Sequence, residues 1–97
     1  MDVRIQAIHF DATAQLESFI QKKVSKLSRF HDGIMEAEVV LKVVKPETSM
    51  NKEVALKLLL AGNEDLFSSK VADTFEEAVD LAAEALERQL EKTKKKK

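Results

Sequence analysis

"MEAEVVLKVVKPETSMNKEVALKLLL", residues 35–60, decides the fold of this chain. Before its lone proline, Ala37, Val39, Leu41 and Val43 alternate with Glu36, Glu38 and Lys42. After it, Val54, Leu56, Leu58 and Leu60 share one parity and Lys57 takes the other. Successive side chains of a strand point to opposite faces, so a period of two with one polar parity marks a strand buried on one side only. Pro46 lacks the N–H that a ladder needs, which makes "KPETSMNK" the loop between two such strands. A short connection makes the pair antiparallel, and its dry face needs a cover.

The cover is legible on either side. Upstream, Leu16, Phe19, Ile20, Val24 and Leu27 recur at steps of three and four, the stripe of an amphipathic helix over about 14–29. Thr13 can cap its first N–H groups, and "HDG" at 31–33 ends it. Val3, Ile5 and Ala7 precede it as a one-sided strand. Downstream, "AGNED" at 61–65 turns the chain into a shorter, weaker strand around 66–72. "TFEE" at 74–77 is a capping-box pattern, and the helix after it presents Phe75, Val79, Ala82, Leu86 and Leu90. The order is βαβββα. The first two strands, separated by a helix, are expected to be parallel with a right-handed crossover, and the rest to form a meander. An α+β fold follows: a four-stranded mixed sheet with both helices side by side on one face.

Ninety-seven residues make one domain. The charged and hydrophobic fractions, 34% and 44%, are those of a soluble protein. No apolar run spans a bilayer, the N-terminus does not read as a signal peptide, and cysteine is absent, so the expected compartment is the cytoplasm. No glycine-rich phosphate loop or nucleophile motif is present, and His9 and His31 lack companions at ligand spacing. The expectation is a non-enzyme without cofactor, metal or small-molecule substrate. Glu36 and Glu38 read as the wet side of a strand rather than an acid/base pair.

The informative feature is charge placement. Formal net charge is −1, yet Lys22, Lys23, Lys26 and Arg29 crowd the end of the first helix, and Lys92 with Lys94, Lys95, Lys96 and Lys97 ends the chain. Arg88 stands four residues before Lys92. Glu76, Glu77, Asp80, Glu84 and Glu87 fill the first part of the second helix. Cations at helix C-termini commonly just complement the helix dipole. Sorted into two clusters, they also form a site for phosphates, because clustered cations release condensed counterions from nucleic acid. If the helices lie side by side, the two clusters merge into one basic ridge. Strands two and three put Glu, Val, Lys, Ala and Leu on the open sheet face, so base stacking on aromatics is disfavoured there, with Phe67 unassigned.

"LESFIQKKVSKLSRF" (16–30), "VVLKVVK" (39–45) and "ALERQLEKTKKKK" (85–97), in this order within a βαβββα chain, resemble the ribosome hibernation-promoting factors. These are also called ribosome-associated inhibitor or sigma-54 modulation proteins. The resemblance spans essentially the whole chain and is most specific at "KLSRF" and "LERQLEK". It implies a fold like a double-stranded-RNA-binding domain with an extra leading strand. It also implies binding to the small ribosomal subunit and its rRNA, in whole ribosomes too, within the channel of mRNA and tRNA. Translation would be silenced there in stationary phase or stress. The rRNA-contacting positions it implies are Lys22, Lys23, Lys26, Arg29, Arg88 and Lys92, with Lys94 to Lys97 adding charge. The family often carries a lysine where this chain has Ala85 and an aromatic where it has Glu76, with Phe75 adjacent. The chain resembles the short form: residues 1–92 as a ribosome-binding domain, 93–97 as a flexible basic tail, monomeric when free. Alternatives are a protein-binding modulator of transcription and a generic duplex-RNA-binding module.

Overall fold

A computed structural model of the chain describes residues 2–30, 33–44, 50–62 and 65–95, with 93–95 as backbone only. The elements are β1 (Asp2–Ala7), α1 (Ala14–Ser25), a 3-10 turn (Lys26–Arg29), β2 (Ile34–Val43), β3 (Lys52–Leu60), β4 (Leu66–Ala72) and α2 (Phe75–Lys95). The order is βαβββα and the class α+β, as the periodicities predict. The sheet order is β1-β2-β3-β4, with β1 and β2 parallel and the other neighbours antiparallel.

Strand parity sets which face is dry. Ala37, Val39 and Leu41 on β2 lie opposite Leu58, Leu56 and Val54 on β3, and all six are buried. Ser68 and Ala72 extend this face onto β4, while Val3, Ile5 and Ala7 extend it onto β1, half-buried. Both helices cover it: α1 contacts β1, α2 contacts β3 and β4, and the helices contact each other. Ile20, Val24, Val79, Ala82, Leu86 and Leu90 are wholly buried in the one core. Ala78 and Ala83 are buried as well, and their small size lets α2 lie close to its neighbours. Phe75 stacks on Phe10 at 5.1 Å between centroids, closing the core where both helices begin.

Capping follows the sequence. Thr13 accepts a hydrogen bond from Leu16 N–H at 3.1 Å, and Thr74 accepts one from Glu77 N–H at the same distance. Each satisfies a backbone donor that the first helical turn leaves unpaired.

Two boundaries differ from expectation. The first helix does not stay α-helical to residue 29: its last turn tightens to 3-10 at Lys26–Arg29. Ser28 donates its hydroxyl to the Ser25 carbonyl at 2.8 Å, and Phe30 N–H reaches Leu27 at 3.0 Å, so three-residue bonds replace the α pattern. At the other end, α2 does not stop at Lys92 but continues to Lys95 in its backbone, since no glycine or proline follows Leu90. The structure of residues 96 and 97 and the side chains of 93–95 lie outside the described residues, as do His31 and Pro46.

The topology fixes one relation that matters for function. β4 runs parallel to β1, because two antiparallel steps separate β4 from β2. Each helix follows one of these strands and returns, so α1 and α2 run in the same direction. Gln89 donating to the Phe67 carbonyl at 3.2 Å shows α2 passing back over the start of β4. The C-terminal ends of both helices therefore lie toward one end of the molecule.

Candidate nucleic-acid interface

On α1, Leu16, Ile20, Val24 and Leu27 face the core, which turns Lys22, Lys26 and Arg29 toward solvent, all exposed. Lys23 lies nearer the core stripe and is half-buried. Its ammonium sits 3.0 Å from the Asp80 carboxylate and 5.6 Å from the Phe19 ring centroid. On α2, Arg88 and Lys92 are exposed, one turn apart. Arg88 bonds Glu84 on its own helix at 3.1 Å.

The two helices do not fuse their cations into a single ridge. An open groove separates them, lined from the first helix by Lys23, Lys26, Leu27, Arg29 and Phe30, and from α2 by Asp80, Ala83, Glu84 and Glu87. The flank of α2 that meets the basic end of α1 is acidic. Asp80, Glu84 and Glu87 form one helical row beside the core row 79, 82, 86, 90, and the packing of the two helices sets that row on the side of α1. Arg88, one residue past Glu87, is rotated about 100° further round and stands outside the groove. The arrangement is two cationic strips with a carboxylate seam between them. Their step of four and three shows in the sequence that these acids share one helix face, but not that the face shares a groove with Lys23, Lys26 and Arg29.

Of the remaining predicted positions, Lys94 and Lys95 carry helical backbone, their side chains lie outside the described residues, and Lys96 and Lys97 lie wholly outside them. Ala85 is half-buried and Glu76 exposed on the first turn of α2.

Among the described residues the open sheet face offers no comparable cationic site. Cross-strand neighbours Arg4, Glu38 and Lys57 alternate in sign, and Lys42 lies opposite Glu53. Arg4 pairs with Glu36 at 3.4 Å and Lys57 with Asp65 at 3.7 Å. One aromatic does reach this face, on β4: Phe67 is 58% exposed opposite Lys57. A base-stacking sheet uses two or three aromatics, and Phe67 stands alone. Among the described residues no three metal-ligating side chains converge, and no helix is long and apolar enough to cross a membrane.

Comparison with known proteins adds ancestry to this geometry. The family model described as "Sigma 54 modulation protein / S30EA ribosomal protein" matches residues 3–97. A protein of Azotobacter vinelandii named ribosome hibernation promoting factor is 31% identical over 96 residues, covering 99% of this chain and 85% of that one. A protein of the same name from Pseudomonas putida is 29% identical over 96 residues, covering 99% and 89%. Among solved structures, a ribosomal subunit interface protein from Coxiella burnetii superposes with a TM-score of 0.87 at 24% identity, covering 99% of this chain and all of that one. The N-terminal domain of Thermus thermophilus Protein Y gives 0.81 at 21%, covering 96% and 99%. At these identities the structural likeness establishes the shared fold.

Proposed function

The chain belongs to the Sigma 54 modulation protein / S30EA ribosomal protein family, and from that we propose that it is a ribosome hibernation factor. It binds the small subunit through cations at the C-terminal ends of its two helices, occupies the mRNA and tRNA channel, and inhibits translation by occupancy alone. The observation that carries this reading is the parallel course of α1 and α2. It turns Lys22, Lys26 and Arg29 outward at the same end of the molecule as Arg88 and Lys92. Clustered exposed cations on a rigid scaffold hold phosphates, while the sign-alternating sheet face does not.

Each proposed rRNA contact has a distinct position. Lys22, Lys26 and Arg29 are exposed, Lys22 outside the groove and the other two on its bank. Lys23 and Arg88 are engaged with Asp80 and Glu84, and exchange those carboxylates for phosphate on binding. Lys92 extends the α2 strip, and Lys94 to Lys97 add positive charge to the end of the chain. Residues 1–92 serve as the ribosome-binding domain, and 93–97 as an electrostatic tether. The acidic first half of α2 disfavours a generic duplex-RNA module, because it repels a continuous phosphate groove laid along that helix.

Sedimentation of a starved-cell lysate through sucrose tests the partner: the protein should travel with small subunits and whole ribosomes. Recovery only at the top of the gradient would remove ribosome binding and leave a transcription partner or free RNA as the target. A translation reaction tests the mechanism. Inhibition should saturate at about one protein per ribosome, be relieved by excess mRNA and initiator tRNA, and leave rRNA intact. Inhibition far below stoichiometry, or persisting after displacement, would indicate chemistry instead of occlusion.

A further inference from the structure

The groove between the helices carries Lys23, Lys26 and Arg29 on one bank and Asp80, Glu84 and Glu87 on the other. Three positive and three negative groups line it, and Lys23 meets Asp80 across the helices at 3.0 Å. The floor is apolar: Leu27, Phe30 and Ala83. Two pairs show the banks and shoulders already in contact, Lys23 with Asp80 and Arg88 with Glu84. A phosphate lowered into this groove meets carboxylates as well as cationic groups. Lys22 and Lys92 do not line the groove, so a phosphate held by either lies away from that seam.

Resting on the ribosomal reading above, we infer that Asp80, Glu84 and Glu87 are specificity determinants. They oppose phosphate in the groove, hold Lys23 and Arg88 until a fitting RNA displaces them, and confine tight binding to an RNA surface that lays two separate backbone segments on the two strips. Over the seam such an RNA presents hydrogen-bond donors, ribose hydroxyls or base amino groups, which carboxylates accept. A flexible polyanion, free to place charge anywhere, gains little because the groove is neutral and two cations are held internally. The seam thus lets a protein of net charge −1 select one folded RNA surface from the bulk of cellular polyanions.

The test compares two triple variants that neutralise the same number of carboxylates. The seam variant is Asp80→Asn, Glu84→Gln, Glu87→Gln; the control, on the open sheet face, is Glu36→Gln, Glu38→Gln, Glu53→Gln. Affinity is measured at one salt concentration for heparin, a generic polyanion, and for purified small ribosomal subunits, after thermal melts confirm folding. The seam variant should gain about tenfold or more for heparin and less than about twofold for subunits, while the control moves both by less than about threefold. Should either triple fail to fold, Glu84→Gln against Glu53→Gln gives the same comparison at smaller amplitude. Equal gains for both ligands, or a control that matches the seam variant, would overturn the inference. If the wild-type chain does not bind subunits, the ribosomal reading falls, and the heparin comparison still decides whether the seam repels phosphate.

Discussion

Lys23 of α1 reaches across the helix pair to place its ammonium 3.0 Å from the carboxylate of Asp80 on α2. Fifty-seven residues separate them in sequence, and the contact exists only because the two helices run in parallel with α1's basic end beside α2's acidic flank. A cation read from sequence as an RNA contact is, in the free protein, a strut between helices.

That strut should add little stability. Its side chains are 34% and 51% exposed, where water screens an ion pair. A double-mutant cycle of Lys23→Ala and Asp80→Ala, read by urea unfolding, should give a coupling of about 0.2–1 kcal/mol. A coupling well above that range would make the pair part of the fold's foundation.

The outward strip of α1 should dominate binding. Reversing Lys22, Lys26 and Arg29 to Glu should abolish co-sedimentation with small subunits and leave circular dichroism unchanged, since all three are exposed. For the wild type, log affinity should fall with log salt by about 0.7–0.9 per phosphate contacted. Retained binding by the triple variant at moderate salt would exclude this strip from the interface.

The core should behave in the opposite way. Leu86 is fully buried where α2 meets the sheet, so Leu86→Ala should cost about 2–5 kcal/mol through lost transfer energy and the cavity left behind. Leu81 on the same helix is 40% exposed, and Leu81→Ala should stay within about 0.5 kcal/mol. Urea midpoints at constant m-value distinguish the two.

A tie between distant loops should also be measurable. Met50, at φ 56°, donates its N–H to the Asp73 carboxylate at 2.7 Å, which links the start of β3 to the corner between β4 and α2. Both residues are exposed, so Asp73→Ala should cost only about 1 kcal/mol overall. Amide exchange at Met50 should accelerate about tenfold while core amides change no more than global stability requires. Unchanged exchange at Met50 would show that the carboxylate does not hold this backbone.

Deleting Lys94 to Lys97 should lower affinity for small subunits and flatten its salt dependence, with the thermal midpoint nearly unchanged. Four adjacent cations repel one another and supply no apolar surface to the core. A fall in the midpoint of more than a few degrees would assign this stretch to the folded core.

The sequence by itself determined the element order, the buried faces and the sorting of charge, because each is written in local periodicity. Alternation over 35–60 requires one-sided strands, and the steps of three and four in 16–27 and 75–90 require amphipathic helices wherever they dock. Thr13 and Thr74 act within one turn of their own helices and were legible for the same reason. The tertiary structure alone decided which charges meet. Whether Lys26 shares a groove with cations or with carboxylates depends on the rotation and axial offset of two helices, quantities set by how Ala78, Ala83 and the leucines pack against the sheet. The same holds for Phe67, turned out to solvent because Ser68 took the inward parity of β4. It holds for the 3-10 turn at Lys26–Arg29, the segment that carries two of the predicted cations. Charge interactions act through space and periodicity acts along the chain, so the clusters could be read from the sequence and the seam between them could not.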